Sequence, residues 1–170
     1  AIMKDLSLPA YRFSVAWPRV IPTGRGAVNQ KGLDFYSRLV DELLSAGVDP
    51  WVTLYHWDLP QILQQQGGWM NPSISDAFAE YTRAVVDTLG DRVSNWMTFN
   101  EPQCFVGLGL INGHHAPGYL LPQTDVAKAA HHSMVAHGKA VDILRAKGGS
   151  KYTIGYVPTT QAMIPATETP

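Results

Sequence analysis

The stretch Trp51-Val52-Thr53-Leu54-Tyr55-His56-Trp57 decides the fold class. It is an apolar run rich in β-branched and aromatic side chains, and Asp58-Leu59-Pro60 ends it, which predicts a buried strand. Before this run, Asn29 is the predicted N-cap of a helix that continues to about residue 46, where Gly47 provides the stop. A strand therefore directly follows a helix.

The same alternation of helix and strand continues along the chain. Ser73 followed by Asp76 resembles a capping box and predicts a helix to about residue 89. Thr124-Asp125 are predicted to cap a further helix that runs to about residue 147. The other predicted segments are strands at 11–17, 95–100 and 153–157, the end of a helix at 2–6, and a long, lid-like connection at 103–123.

Strict alternation of strands and helices predicts an α/β fold with a parallel sheet and crossover helices. An open doubly wound sheet and a closed (β/α)8 TIM barrel both fit. No Gly-x-Gly-x-x-Gly follows a strand, which disfavours a dinucleotide-binding sheet. His56 and Asn100-Glu101 stand at the carboxyl ends of strands, where a barrel has its chemistry. We therefore predict that residues 1–170 form a single partial domain, about half of a TIM barrel.

Composition excludes several classes of partner. The net charge is −1 and 16% of residues are charged, so no basic face predicts binding to nucleic acid or to an anionic membrane. No apolar run is long enough to span a bilayer, and Ala1-Ile2-Met3-Lys4-Asp5 lacks the pattern of a signal peptide. Cys104 is the single cysteine, which excludes an intrachain disulfide and fits a reducing compartment. We therefore expect a cytoplasmic protein.

Glu101 is the candidate catalytic residue. Of the four glutamates, Glu42 and Glu80 fall in amphipathic helices and Glu168 falls in a Pro/Thr-rich tail, whereas Glu101 directly follows an apolar strand and precedes a proline. Burial among Trp96, Phe99 and other rings is expected to raise its pKa, so that it stays protonated and can act as a general acid. The alternative is a glutamate that caps the next segment.

Four other residues are candidate binding groups. His56 either donates a hydrogen bond from its imidazole to a ligand hydroxyl, above the floor formed by Trp57, or is a satisfied core histidine. Asn100 either donates to a ligand hydroxyl or is a turn residue at a strand end. Arg12 lies inside a strand and requires a carboxylate partner, either a catalytic carboxylate or a structural ion pair.

The sequence predicts no metal ion and no cofactor. The pairs His114-His115 and His131-His132 and the group His56-x-Asp58 lack the spacing of a zinc site. Cys104 has no evident His/Asn constellation and is expected to be a small buried hydrophobic residue. Two alternatives of other classes stay open: a non-catalytic half-barrel that binds sugar weakly, and a barrel metallohydrolase that uses His56, Asp58 and the paired histidines.

Eight stretches resemble the family 1 glycoside hydrolases, the β-glucosidase type. They cover the chain in the family's order. They are Tyr-Arg-Phe-Ser-Val-Ala-Trp-Pro-Arg-Val at 11–20, Asn-Gln-Lys-Gly-Leu-Asp-Phe-Tyr at 29–36, Val-Thr-Leu-Tyr-His-Trp-Asp-Leu-Pro-Gln at 52–61, Gly-Gly-Trp at 67–69, Gly-Asp-Arg-Val at 90–93, Trp-Met-Thr-Phe-Asn-Glu-Pro at 96–102, His-Ala-Pro-Gly at 115–118, and Ala-His-His with Ala-His-Gly within 130–138.

The resemblance implies a (β/α)8 barrel and retaining hydrolysis of a β-glucoside or oligosaccharide by two glutamates. Glu101 matches the acid/base, and Asn100 matches the neighbour that bonds the sugar 2-hydroxyl. His56 and Trp57 match glycone-binding positions, and Arg12 matches the arginine that pairs with the nucleophile.

Parts of the family pattern are absent from the chain. They are the Glu-Asn-Gly motif of the nucleophile, the first strand with its glycone-binding Gln, and the later Trp/Glu residues that grip the sugar. A smaller departure is Leu108-Gly109-Leu110, which replaces a segment that is often aromatic. We therefore expect the 170-residue chain to be inactive alone. It would be completed by the rest of a longer protein, by a complementary fragment or by a second copy.

Overall fold

The computed structural model describes residues 2–160, so Glu168 and its tail lie outside the described residues. The strands are β1 Ala10–Ser14, β2 Asp49–Tyr55, β3 Asn95–Asn100 and β4 Thr153–Val157. The helices are α1 Ile2–Asp5, α2 Trp17–Val20, α3 Gln30–Ser45, α4 Gln61–Gln65, α5 Ile74–Leu89, α6 Pro102–Val106 and α7 Gln123–Gly148. Short 3-10 turns at Gly68–Met70 and Gly149–Lys151 and a π-helical turn at Gly107–Ile111 complete the described elements.

The four strands form one parallel sheet in the order β1-β2-β3-β4. Helices α3, α5 and α7 connect successive strands, as parallel pairing requires. All four strands therefore run in one direction, and their carboxyl ends meet at one edge of the sheet. The predicted alternation and the parallel sheet are confirmed.

One face of the sheet packs against the crossover helices. Phe13, Val52 and Trp96 occupy matching register positions on β1, β2 and β3, and all are buried. Phe13 stacks on Tyr36 of α3, with ring centroids 6.4 Å apart. Because side chains alternate along a strand, Arg12 and Trp51 fall on the opposite face, where both are exposed.

A cluster of buried rings supports the carboxyl edge of the sheet. Phe78 of α5 lies 4.8 Å from Phe99 of β3, and the hydroxyl of Tyr81 lies 2.9 and 2.8 Å from the carbonyl oxygens of Val15 and Leu54. Burial of each ring contributes roughly 1.5–3 kcal/mol, and favourable ring pairs add about 1 kcal/mol. The cluster therefore gives the strand ends a rigid base. Its other members are Trp17, Tyr55, Trp69 and Phe105.

The predicted loop at 103–123 is partly helical. Helix α6 begins at Pro102, whose ring favours the first helical position, and the π-helical turn follows it directly. Phe105, Val106 and Leu110 are buried, so apolar burial stabilises helical structure where Gly and His content predicted a lid. The strand predicted at 11–17 ends earlier, at Ser14, because the chain enters helix α2 at Trp17.

The predicted side-chain caps do not form. Asn29 precedes α3, but its amide Nδ2 donates to the Arg19 carbonyl oxygen instead. Ser73 donates its hydroxyl to Asn71, so the capping box with Asp76 is absent. Helix α7 begins at Gln123, before the expected Thr124-Asp125 cap. In the first two cases, the side chain donates to a nearby tertiary or turn acceptor, and its oxygen accepts no hydrogen bond from the helix end.

Candidate active site

Glu101 lies at the junction of β3 and α6. Its backbone φ of +42° is in the left-handed region, which non-glycine residues adopt rarely and at a cost of about 1–3 kcal/mol. Its amide donates to the Val157 carbonyl oxygen at 2.7 Å, so β4 holds this turn in place. The side chain makes no capping hydrogen bond to α6. The geometry therefore does not support the simple capping role.

The expected burial of the Glu101 carboxyl among rings is wrong. Trp96 and Phe99 are fully buried in the core, whereas the side chain of Glu101 stays partly exposed at the edge. Hydrogen bonds from Thr159 and then Cys104 stabilise the carboxylate and lower the pKa of Glu101, the reverse of the expected shift. Strand β3 thus buries its rings in the core, whereas the Glu101 carboxylate stays at the carboxyl edge of the sheet.

Asn100 connects the ends of three strands. It is buried, at 3% exposure. Its Oδ1 accepts a hydrogen bond from Arg12 Nη2 at 2.5 Å, and its Nδ2 lies 3.2 Å from His56 Nε2. Its backbone oxygen accepts from Trp57 Nε1 at 2.8 Å. Arg12 thus bonds an amide. The carboxylate partner predicted for Arg12 is not found within residues 2–160.

His56 has both ring nitrogens engaged. Nδ1 lies 2.8 Å from Ser14 Oγ, and Nε2 faces Asn100. Burial and the neighbouring Arg12 charge lower the pKa of His56, and Glu101 opposes them. Sequence reasoning missed Ser14, although it stands two residues after Arg12 and so shares its face of β1.

Trp57 adopts a left-handed backbone, with φ of +82°. Its ring lies 5.2 Å from the rings of both His56 and His115. A cavity of about 100 Å³ lies beside it, between Trp69 and Pro117. His115 was a candidate only for metal binding, and its place beside Trp57 depends on the fold of the 107–118 segment.

Cys104 is half-buried, and its Sγ lies 3.6 Å from Glu101 Oε2. The expectation of a buried hydrophobic residue is therefore wrong, because α6 turns the thiol toward the carboxylate. Burial, and then the Glu101 charge, raise the pKa of the thiol, which keeps it protonated and able to donate.

The described residues contain neither a metal-ion cluster nor a helix that could cross a membrane. Between residues 2 and 160, no three His, Cys, Asp or Glu side chains converge on a position where a metal ion could bind. His132 Nδ1 instead lies 2.9 Å from the Trp69 carbonyl oxygen. No described helix is long and apolar enough to cross a membrane.

The site can thus present the partly exposed carboxylate of Glu101 beside the buried amide of Asn100 and the imidazole of His56. The ring faces of Trp57 and His115 lie next to these groups. Neutral hydrogen-bonding groups next to aromatic rings suit a polyhydroxylated ligand. Carboxyl groups are the general acids and nucleophiles of most glycoside-cleaving sites.

Comparisons with known proteins identify the family of the chain. The family model described as glycosyl hydrolase family 1 matches residues 1–170. "Beta-glucosidase A" of Thermotoga maritima is 51% identical over 145 residues, which cover 85% of this chain and 32% of that protein. "Beta-glucosidase" of an Agrobacterium species is 45% identical over 167 residues, which cover 98% of this chain and 36% of that protein.

Solved structures give the same result. "Family 1 b-glucosidase from Thermotoga maritima" superposes with a TM-score of 0.94 at 47% identity, covering 98% of this chain and 38% of that chain. The Thermotoga maritima β-glucosidase in complex with deoxynojirimycin also gives 0.94 at 47% identity, covering 98% of this chain and 37% of that one. The chain therefore spans about a third of the length of the relatives it matches.

Proposed function

The chain belongs to glycosyl hydrolase family 1, and from this membership we propose that it carries the acid/base half of a retaining β-glycosidase site. Its four parallel strands match part of a (β/α)8 barrel. The substrate is a terminal β-linked glycosyl residue, as in a β-glucoside or oligosaccharide. One observation carries the proposal: Glu101 emerges at a strand's carboxyl end with its carboxylate partly exposed, directly beside the buried Asn100.

Glu101 has two tasks in this mechanism. It first donates a proton to the leaving glycosidic oxygen, and then takes a proton from the water that releases the sugar from the second glutamate. That nucleophile must lie about 5–5.5 Å from Glu101. Glu42 is exposed on α3, and Glu80 accepts from the Gly26 amide, so neither meets this need. The nucleophile comes from outside residues 2–160.

Hydrogen bonds lower the pKa of Glu101, and the second carboxylate of the proposed mechanism would act against them. A general acid must be protonated before it reacts. A second carboxylate at the retaining distance raises the pKa of its neighbour, because two like charges so close disfavour ionisation of both. Further burial by the remaining strands acts in the same direction. The acid is thus tuned by residues that the rest of the barrel supplies.

The neighbouring groups bind the sugar and the nucleophile. Asn100 donates to a hydroxyl next to the reacting carbon, and His56 and Trp57 contact the remaining glycone. The Arg12 guanidinium, exposed on the sheet face opposite the helices, is available to a carboxylate from a later strand. Residues 1–170 are therefore one partial domain, completed by the rest of a longer protein, by a complementary fragment or by a second copy.

Azide rescue tests the role of Glu101. In the full-length protein, Glu101→Ala should lose turnover of substrates with poor leaving groups, because their departure needs the general acid. With an activated aryl glycoside, whose departure needs little protonation, added azide should accelerate release of the sugar from the nucleophile and give a β-configured glycosyl azide. The small anion enters the space left by the carboxylate and needs no general base. The surface variant Glu42→Ala is the matched control and should give no azide product. A folded Glu101→Ala protein that forms none would refute the assignment.

The isolated chain gives a second test. The purified 170-residue chain should not hydrolyse aryl β-glucosides, since it lacks the nucleophile. Robust turnover by this chain alone would contradict the proposal. Weak binding of a glucose analogue without turnover, even in the full-length protein, would instead support the non-catalytic alternative, which the internally bonded His56 and Asn100 side chains also fit.

A further inference from the structure

Four side chains form a continuous hydrogen-bonded row across the carboxyl edge of the sheet. Arg12 Nη2 bonds Asn100 Oδ1, Asn100 Nδ2 lies 3.2 Å from His56 Nε2, and His56 Nδ1 lies 2.8 Å from Ser14 Oγ. The row begins and ends on β1, passing through the ends of β3 and β2. The identity of its first member determines the direction of every bond in it.

The guanidinium of Arg12 has only donors. The Asn100 atom that faces it, 2.5 Å away, must therefore be the carbonyl oxygen. This fixes the orientation of the amide and turns Nδ2, which can only donate, toward His56. His56 Nε2 must then be the acceptor of this bond and carry no proton.

A neutral imidazole with a bare Nε2 carries its proton on Nδ1. The Nδ1–H of His56 consequently donates to Ser14 Oγ. We propose that Asn100, oriented by Arg12, sets the Nδ1–H tautomer of His56, and that Ser14 is the positioning residue that accepts this proton and holds the ring, so that His56 Nε2 meets the substrate as a hydrogen-bond acceptor. The part that concerns the substrate rests on the proposed glycosidase function.

This direction is opposite to the bond from imidazole to hydroxyl that the sequence suggested. A sugar hydroxyl must donate to Nε2, in place of or together with Asn100 Nδ2. The site then selects for a hydroxyl at that ring position over a group that can only accept. Protonation at Nε2 would direct a proton at the Asn100 amide donor and bring positive charge toward Arg12. In agreement with this conflict, burial and the Arg12 charge lower the pKa of His56.

The tautomer can be read directly by nitrogen NMR. Full-length protein labelled with 15N-histidine should show His56 with a protonated Nδ1 and a bare Nε2 at neutral pH. His132 is an internal reference, because its Nδ1 lies 2.9 Å from a carbonyl oxygen, which only accepts, and so must carry a proton. A protonated Nε2 on wild-type His56 would overturn the proposal, whatever the activity of the protein.

Variants of Ser14 separate positioning from mere structure. Ser14→Ala removes the acceptor of the Nδ1–H bond, so the Nε2–H tautomer should gain population and KM should rise about three- to tenfold, the effect of one neutral hydrogen bond. The kcat should change less than about twofold, since the group binds ground and transition states alike. Ser14→Thr keeps the hydroxyl and should restore both tautomer and KM, while the helix-end control Ser45→Ala should change neither.

Substrate analogues test the direction of the bond. Replacing each ring hydroxyl in turn by hydrogen or by fluorine should identify one position where both analogues lose affinity equally, within about twofold, because fluorine cannot donate. If the fluoro analogue retains most of the affinity at every position, Nε2 donates and the inference fails. If the tautomer is as proposed but no glycoside is cleaved, the proposed function fails and the tautomer assignment of His56 stands.

Discussion

Two carboxyl groups at the ends of neighbouring strands have opposite surroundings. Asp58 lies three residues past β2 and is half-buried, and burial raises its pKa to about 6 despite amide donors from its own backbone and that of His56. Glu101 directly follows β3 and stays open, and hydrogen bonds led by that from Thr159 lower its pKa. Burial thus acts on one carboxyl and hydrogen bonding on the other.

On the proposed assignment of Glu101, a raised pKa does not by itself identify the catalytic acid. A buried carboxyl with a pKa near neutrality is a usual candidate for proton transfer, and this criterion alone selects Asp58. Asp58 lies beyond Trp57, outside the row that joins Arg12 to Ser14. Glu101 is adjacent to that row and open to a ligand. On that assignment, position relative to the row is the better guide.

The largest predicted effect separates the two carboxyls by activity. In the full-length protein, Glu101→Gln should lower kcat/KM for a substrate with a poor leaving group about 10²- to 10⁴-fold, the contribution of one general acid. Asp58→Asn, an equally conservative change, should stay within about threefold of wild type. Steady-state kinetics with alkyl and nitrophenyl β-glycosides measures both variants.

The leaving group provides the control for this comparison. Glu101→Gln should lose far less activity on an activated nitrophenyl substrate, whose departure needs little protonation. If Asp58→Asn shows the larger loss, with the same dependence on the leaving group, then Asp58 is the acid and the comparison is reversed.

Much of the fold was accessible from the sequence because each element carries its own local pattern. The apolar run at 51–57 and its flanking helices predict a βα alternation, and the parallel sheet follows from that alternation. The α6 region was not predicted, since Gly107 and Gly109 favour a loop locally. Burial of Phe105 and Leu110 against distant rings, which no local pattern contains, overrides this preference.

The site was predictable to the level of which residues gather, and not of how they bond. His56, Asn100 and Glu101 end strands, and parallel strands bring their carboxyl ends together. The partner of Arg12 depended on which side chains were within reach, and Asn100 occupies that place. The pKa of Glu101 depended on Thr159, which is 58 positions away and approaches only through β4 pairing.

A smaller effect sharpens the comparison through stability. Because the folded-state pKa of Asp58 is raised above its unfolded value, the folded protein binds more protons than the unfolded one between about pH 4 and pH 6. Stability should therefore fall as pH rises through this window, by up to about 2 kcal/mol after allowance for partial solvent screening. Asp58→Asn should remove this fall and be the more stable protein at pH 7, as measured by urea unfolding at several pH values.

The exposed variant Asp142→Asn controls for the loss of one negative charge and should leave the pH dependence of unfolding unchanged. A destabilised Asp58→Asn protein at pH 7 would show that the Asp58 carboxylate has a cationic partner in the complete barrel. Burial would then not be the dominant influence on this group.

The smallest effect concerns the thiol beside Glu101. Hydrogen bonds from Thr159 and then from Cys104 lower the pKa of Glu101, and the Cys104 Sγ lies 3.6 Å from its Oε2. Cys104→Ala removes one donor to the carboxylate, so the pKa of Glu101 should rise. A general acid loses activity as pH rises through its pKa, so the alkaline limb of the kcat/KM profile should move to higher pH. Cys104→Ser keeps a donor and should leave the limb near its wild-type position. An identical alkaline limb in all three proteins would mean that the thiol does not donate to Glu101, and that the other donors, led by Thr159, distinguish this carboxyl from Asp58.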